Sequence, residues 1–152
     1  MGSDEWPTQL LGEIAEVVDS LHRTPSYVDD GIPIIRVKDI VCGPIDLSTT
    51  ARVSTEVFGQ FAKKRIPQAG DILVSRVGSY GNFGYLTKQT DCCLGQNTAL
   101  LVPKCDWRYL YYSLISRAVK HQVEALVVGA VQKTISLKNM RTLEIPLPSL
   151  PE

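Results

Sequence analysis

The residues best suited to contacting another molecule are concentrated between Gly70 and Thr98, in GDILVSRVGSYGNFGYLTKQTDCCLGQNT. Gly78, Gly81 and Gly84 punctuate this stretch, with Ser79, Tyr80 and Asn82 between them and Arg76 just upstream. Glycine reaches positive φ without steric cost, so the spacing predicts a tight reversal between two apolar strand-like runs, Asp71 to Val77 and Phe83 to Thr87. Such a turn exposes its polar and aromatic side chains at a loop tip, where binding residues concentrate. Arginine, asparagine, serine and tyrosine are the types that contact base edges and phosphates. Gln96 and Asn97, in the strand-like run that follows, could hydrogen-bond adenine or brace the loop as an amide pair.

Other chemistries fit these residues less well. Gly78-x-x-Gly81-x-x-Gly84 has the look of a phosphate loop, but no lysine-serine or lysine-threonine follows it and it leads into a strand instead of a helix. The sequence carries no S-adenosylmethionine loop and no Asn/Asp-Pro-Pro-aromatic motif. The four cysteines, Cys42, Cys92, Cys93 and Cys105, form no C-x-x-C pair, and His22 and His121 lie far apart. A metal site and a cofactor are therefore not expected. A thiol enzyme would need His121 brought beside Cys92 or Cys93. Adjacent strand residues face opposite ways, so one of that pair is expected buried and the other exposed. Free thiols in a reducing cytoplasm are the simpler reading.

The elements that must position the loop can be read in outline. The 152 residues have room for one domain with a sizeable core. Leu10 to Val18 has apolar residues at 10, 11, 14, 17 and 18, which is helical spacing. Ile32 to Val41 reads as a strand with Arg36 and Lys38 on one face. Val53 to Phe61 suits a short helix, and Leu94 to Val102 a further strand. Asp106 is placed to cap the longest helix, running to Leu126 with Leu110, Leu114, Ala118 and Val123 on one face and stopped by Gly129. Thr134 to Met140 reads as a strand end and a helical turn, and Leu143 to Leu147 as extended. The expected fold class is α+β: a strand-rich twisted sheet with a short N-terminal helix and a longer C-terminal one.

Hydrophobic content of 44% and charged content of 21% are those of an ordinary globular protein. No apolar run reaches the roughly 18 residues that cross a bilayer, so no membrane partner is expected. Formal net charge is zero, but residues 1–50 hold nine acids and three bases, and residues 51–152 hold seven acids and thirteen bases. That asymmetry suits a face that attracts an anionic partner. Trp107, Tyr109, Tyr111 and Tyr112 cannot all point one way on a helix, which leaves a protein-interaction module without DNA readout as the alternative.

The order of motifs resembles one family over nearly the whole chain. LGEIAEVVDS, RTPSY, GIPIIRVKDI, PQAGDILVSRVGSYGNFGY, CLGQNTALLVP, DWRYLYYSLIS and GAVQKTISLKNMRTLEIPLPSLPE follow one another as in target recognition domains of type I restriction–modification specificity subunits. The resemblance implies a non-catalytic domain that reads one half of a bipartite double-stranded DNA site in the major groove. It also implies a cytoplasmic complex in which a methyltransferase (modification) subunit methylates adenine and a restriction subunit cleaves. Lys63, Lys64, Arg65 and Lys133 are then the expected phosphate contacts, with an ordinary solvated face as the alternative for 63–65. Arg76, Tyr80 and Asn82 are the base readers, with Ser79 beside them; for Arg76 the alternative is a buried ion pair with Asp71 or an acid of the N-terminal half. Gln132, Lys133 and Thr134 form a second expected loop and Arg23 to Tyr27 a third. Family subunits usually carry two such domains separated by two long helices, whereas this sequence carries one. Residues 4–147 are expected to form the domain, and 148–152 to begin a linker to a spacer helix.

Overall fold

The computed structural model describes residues 6–127 and 133–147. The expected linker at 148–152, Gln132 and the stop at Gly129 lie outside these residues.

The fold is α+β, built as layers around β6 (Ile72–Ser75). β6 lies at the centre of a five-stranded sheet ordered β2 (Ala15–Asp19), β9 (Thr98–Pro103), β6, β7 (Phe83–Tyr85) and β4 (Gly43–Pro44). Only the β4–β7 pair in this sheet is parallel. Alternation along the strands supplies two cores. Val17, Ile72, Val74, Ala99 and Leu101 belong to one, and Val18, Leu73 and Leu100 to the other.

The first core is closed by three helices, α3 (Trp107–Leu114), α4 (Arg117–Leu126) and α5 (Leu137–Met140), through Leu110, Leu114, Val119, Val123 and Met140. The second is closed by a three-stranded sheet of β5 (Ala51–Val53), β3 (Ile32–Ile35) and β8 (Cys93–Leu94). Ile35 and Leu94 face the second core, while Ile34 and Cys93 face outward onto α2 (Thr55–Phe61). A two-stranded ribbon pairs β1 (Thr8–Leu10) with β10 (Glu144–Pro146).

Several sequence expectations change for identifiable reasons. The helix expected from Leu10 to Val18 survives only as α1 (Leu11–Ile14), with Glu13 accepting from the Leu10 N–H at 2.9 Å. From Ala15 the chain becomes β2, because its residues pair along β9 and both faces of the strand are buried. The strand expected from Ile32 to Val41 stops at Ile35, where Asp39 accepts from the Arg36 N–H at 2.9 Å and closes a 3-10 turn over Val37–Asp39. Leu94 to Val102 divides between two sheets, so Gln96 and Asn97 occupy a turn, with Asn97 at φ 66°.

The long helix also divides. Ser116 adopts extended geometry and its Oγ accepts from the Val119 N–H, starting α4 afresh. The new start shifts the helical phase by one residue, so Val119 is buried where Ala118 was expected and Ala118 is exposed. Asp106 does cap α3, accepting from the Arg108 and Tyr109 N–H groups. Cys92 and Cys93 face opposite ways as expected, yet both are fully buried, because their sheet is covered on both sides.

At the entry to β6, Arg65 clamps Asp71 with Nε to Oδ2 at 2.9 Å and Nη2 to Oδ1 at 3.1 Å. Asp71 is nearly enclosed and also accepts from the Gln68 N–H at 2.9 Å. Removing one member of a buried, hydrogen-bonded pair leaves the other without compensation. Asp71→Ala is expected to lower unfolding stability by about 3 kcal/mol, seen as a lower urea midpoint with unchanged slope.

Candidate nucleic-acid interface

The glycine loop is fastened by Ser75, the last residue of β6. Its Oγ donates to the Ser79 carbonyl and accepts from the Asn82 N–H at 3.0 Å, while its backbone carbonyl accepts from Gly81 at 2.7 Å. Ser75 is fully buried, so these bonds are shielded from competing water. Gly78 and Gly81 take φ of 72° and 73°, the reversal that the spacing predicts. Gly84 serves differently: a Cβ there would come within 2.6 Å of Ile45 Cδ1 and 3.1 Å of two backbone carbonyls on the β4 side. Its role is to admit the neighbouring chain.

Arg76 gathers the surrounding segments. Its Nη1 donates to Asp19 Oδ1 at 3.1 Å and its Nε to the Ile135 carbonyl at 3.2 Å. Its backbone N–H donates to Asn97 at 3.0 Å, and its carbonyl accepts from Ile135. Next to it, Gly78 donates to the Lys133 carbonyl, and Val77 bridges Thr134. Gln96 in turn accepts from Thr24 Oγ1 at 3.1 Å. The glycine loop, residues 133–134, the 96–97 turn and the Thr24 loop thus form one continuous edge, linked by hydrogen bonds from segment to segment.

The residues singled out from sequence divide on this geometry. Ser79, Asn82 and Lys133 are exposed at the edge. Tyr80 is half-buried and packs on the helical core. Thr134 is half-buried in its bridge to Val77. The Arg76 side chain is only 12% exposed and engaged in the ion pair with Asp19. Lys63 and Lys64 are exposed, but Arg65 is held by Asp71 at the far end of β6. At about 3.3 Å per strand residue, Asp71 and Arg76 stand about 17 Å apart along the chain. Arg23 hydrogen-bonds Gln60 and lies 5.3 Å from the Phe61 ring, tying its loop to α2.

Two contributors escaped the sequence reading. Ser75 looked like any strand residue. Lys120, exposed on α4, borders a groove with Asn82 and Gly81, a position set by the helix break at Ser116.

Cys92 and Cys93 are poor nucleophiles. Burial pushes Cys92 and Cys93 up to about 12, so at neutral pH both are protonated. Tyr111 is likewise pushed up to about 12, chiefly by burial and then by Cys42, while its oxygen accepts from the Gly43 N–H at 2.7 Å and ties α3 to β4. Among the described residues no cluster of three or more His, Cys, Asp or Glu could hold a metal. None of their helices is long and apolar enough to cross a membrane.

Comparison with known proteins gives a consistent set of relatives. The sequence matches the family described as "Type I restriction modification DNA specificity domain" over residues 3–152. It is 28% identical to the type I restriction enzyme EcoBI specificity subunit of Escherichia coli, covering 98% of this chain and 33% of that protein. It is 21% identical to the type I restriction enzyme MjaVIII specificity subunit of Methanocaldococcus jannaschii, covering 98% and 37%. The chain therefore spans about a third of the length of these relatives. Its fold is similar to the type I restriction–modification S subunit from M. genitalium, with TM-score 0.62, 16% identity, and 94% and 34% of the two chains covered. It is similar to the HsdS subunit from Thermoanaerobacter tengcongensis at the same TM-score, with 18% identity and 95% and 33% covered.

Stability measurements should separate scaffold from free surface within the loop. Asn82→Ala is expected to change unfolding free energy by no more than about 0.5 kcal/mol, and Tyr80→Ala to cost about 1–2 kcal/mol through lost apolar contact. Gly81→Val combines positive φ with a Cβ 3.1 Å from Val123 Cγ1, and is expected to cost about 2 kcal/mol. Thermal or urea melts of the three variants give these values. In a thiol-reactivity assay at pH 8, exposed Cys42 should label promptly, while Cys92 and Cys93 should label only as fast as the protein unfolds.

Proposed function

The chain belongs to the family of type I restriction modification DNA specificity domains, and on that premise we propose that it reads one half of a bipartite site in duplex DNA. It catalyses nothing itself. It directs a modification subunit that methylates adenine and a restriction subunit that cleaves. The observation that carries this reading is the single edge on which the glycine loop meets residues 133–134, 96–97 and 24 around Arg76. A rigid sheet presenting several polar loops along one side suits insertion into a major groove, where base pairs are distinguishable by their hydrogen-bonding edges.

Within this reading Asn82 and Ser79 contact bases, and Tyr80 supports them from its half-buried position. Arg76 positions the edge by bonding Asp19 and Ile135. Phosphate contacts fall to Lys63, Lys64, Lys133 and Lys120, since Arg65 is occupied by Asp71. A second reading, a protein-interaction module without DNA readout, is supported by Tyr112, which is 65% exposed beside exposed Ile115. Gel filtration alone and with duplex DNA separates the two.

The isolated domain is expected to bind duplex DNA weakly, with affinity falling steeply as salt rises. Each neutralised phosphate contributes about −0.9 to the log–log slope. Replacing Lys63 and Lys64 together by Ala should weaken binding to all sequences alike and make the slope shallower by up to about 2. Affinity constant from low to moderate salt would rule the reading out. So would an assembly that methylates the same sequence after this domain is exchanged for another.

A further inference from the structure

At the 96–97 turn lies a cleft of about 230 Å³, lined among others by Thr24, Pro25, Tyr27, Arg36, Lys38 and Gln96. Arg36 is unusually well positioned within it. Its backbone N–H is bound by Asp39 at 2.9 Å, and its guanidinium carbon lies 5.3 Å from the centre of the Tyr27 ring. Gly95 leaves room for its stem, because a Cβ there would come within 3.2 Å of Arg36 Cγ. Yet its Nε is buried with no hydrogen-bond partner among the described residues. The nearest carboxylate oxygen, on Asp39, is 3.8 Å away, beyond hydrogen-bond reach. That buried Nε is closed to a ligand, but the side chain donates no hydrogen bond among the described residues and is 30% exposed, which leaves the outer Nη donors unused.

The cleft is rigidly joined to the proposed reading edge. Gln96 bonds Thr24, and Asn97, held at φ 66°, accepts from the Arg76 N–H.

From this juxtaposition we infer that Arg36 is a specificity-determining residue that reads a guanine in the half-site, stacked on Tyr27 as its platform. This rests on the DNA-reading function above. A phosphate asks mainly for positive charge, and the Asp39 carboxylate offsets part of that charge here. Guanine asks for two donors at fixed spacing toward O6 and N7, which the two Nη groups of a planar guanidinium supply. Lys38 and the Gln96 amide border the same cleft and suit contacts to its neighbours.

Selection from a random duplex pool, using the complete assembly with this domain as wild type, Arg36→Lys, Arg36→Ala and Tyr27→Ala, tests the inference. The wild type should select a half-site containing a guanine. Both Arg36 variants should lose about ten- to a hundred-fold discrimination at that one position and keep the others. Tyr27→Ala, which alters an exposed ring, should weaken the same position without changing the melting temperature. If Arg36→Ala fails to fold, Arg36→Lys and Tyr27→Ala decide. A half-site without guanine, or variants that select the wild-type sequence unchanged, overturns the inference while leaving the DNA-reading function intact. Uniform weakening on all sequences with a salt slope shallower by about 1 marks a phosphate contact and also overturns it. A wild-type assembly that selects no sequence at all overturns both.

Discussion

A guanidinium withdrawn from water is costly unless its donors find partners, and Arg76 finds them 57 and 59 residues away in the chain. Asp19 comes from the end of β2, the Ile135 carbonyl from the segment before α5. Satisfying this one side chain fixes where the N-terminal strand, the glycine loop and the C-terminal segment meet. Neighbouring backbone bonds from Arg76 to Asn97 and from Gly78 to Lys133 then place two further turns on the same edge. Ser75 performs the equivalent service for the loop itself.

β6 transmits this constraint to the rest of the molecule. Its alternate residues anchor a helix-covered core and a sheet-covered core, so shifting its register would disturb both at once. Its two ends carry different arginines. Arg65 closes on Asp71 at the entry and Arg76 on Asp19 at the exit. A strand buried on both faces and ion-paired at both ends is a stiff support for loops whose contacts depend on position.

The cations divide their labour by chemistry. Arg65 and Arg76 use planar, multidonor groups to join distant segments, and Arg52 donates to the Gly31 carbonyl at 3.0 Å. Lys63, Lys64, Lys120 and Lys133 are exposed, and none pairs with a carboxylate among the described residues. Lysine is a compact, strongly hydrated charge on a flexible stem, suited to a polyanion's diffuse field. Pairing Arg65 with Asp71 and Arg76 with Asp19 removes equal charge of both signs, so on a chain of zero net charge any positive patch depends on where these exposed lysines lie.

Local signals in the sequence were strong where the backbone itself sets the answer. Positive-φ glycines gave the loop, Asp106 gave a helix start, and the ordered motifs gave the family. What needed the tertiary structure was every choice between partners distant in sequence. Ala15 to Val18 has helical spacing, but pairing with β9 makes it a strand. Cys92 and Cys93 are both buried because a second layer covers the sheet. A single serine at 116 resets the phase of α4 and brings Lys120 beside Asn82. The sequence puts Arg65 at a phosphate and leaves Arg76 between base reader and buried ion pair; only the fold shows which carboxylate each one meets, Asp71 and Asp19. Periodicity reports how a segment could bury its own side chains; which strand, carboxylate or carbonyl it meets is decided by contacts that close only when the whole chain is folded.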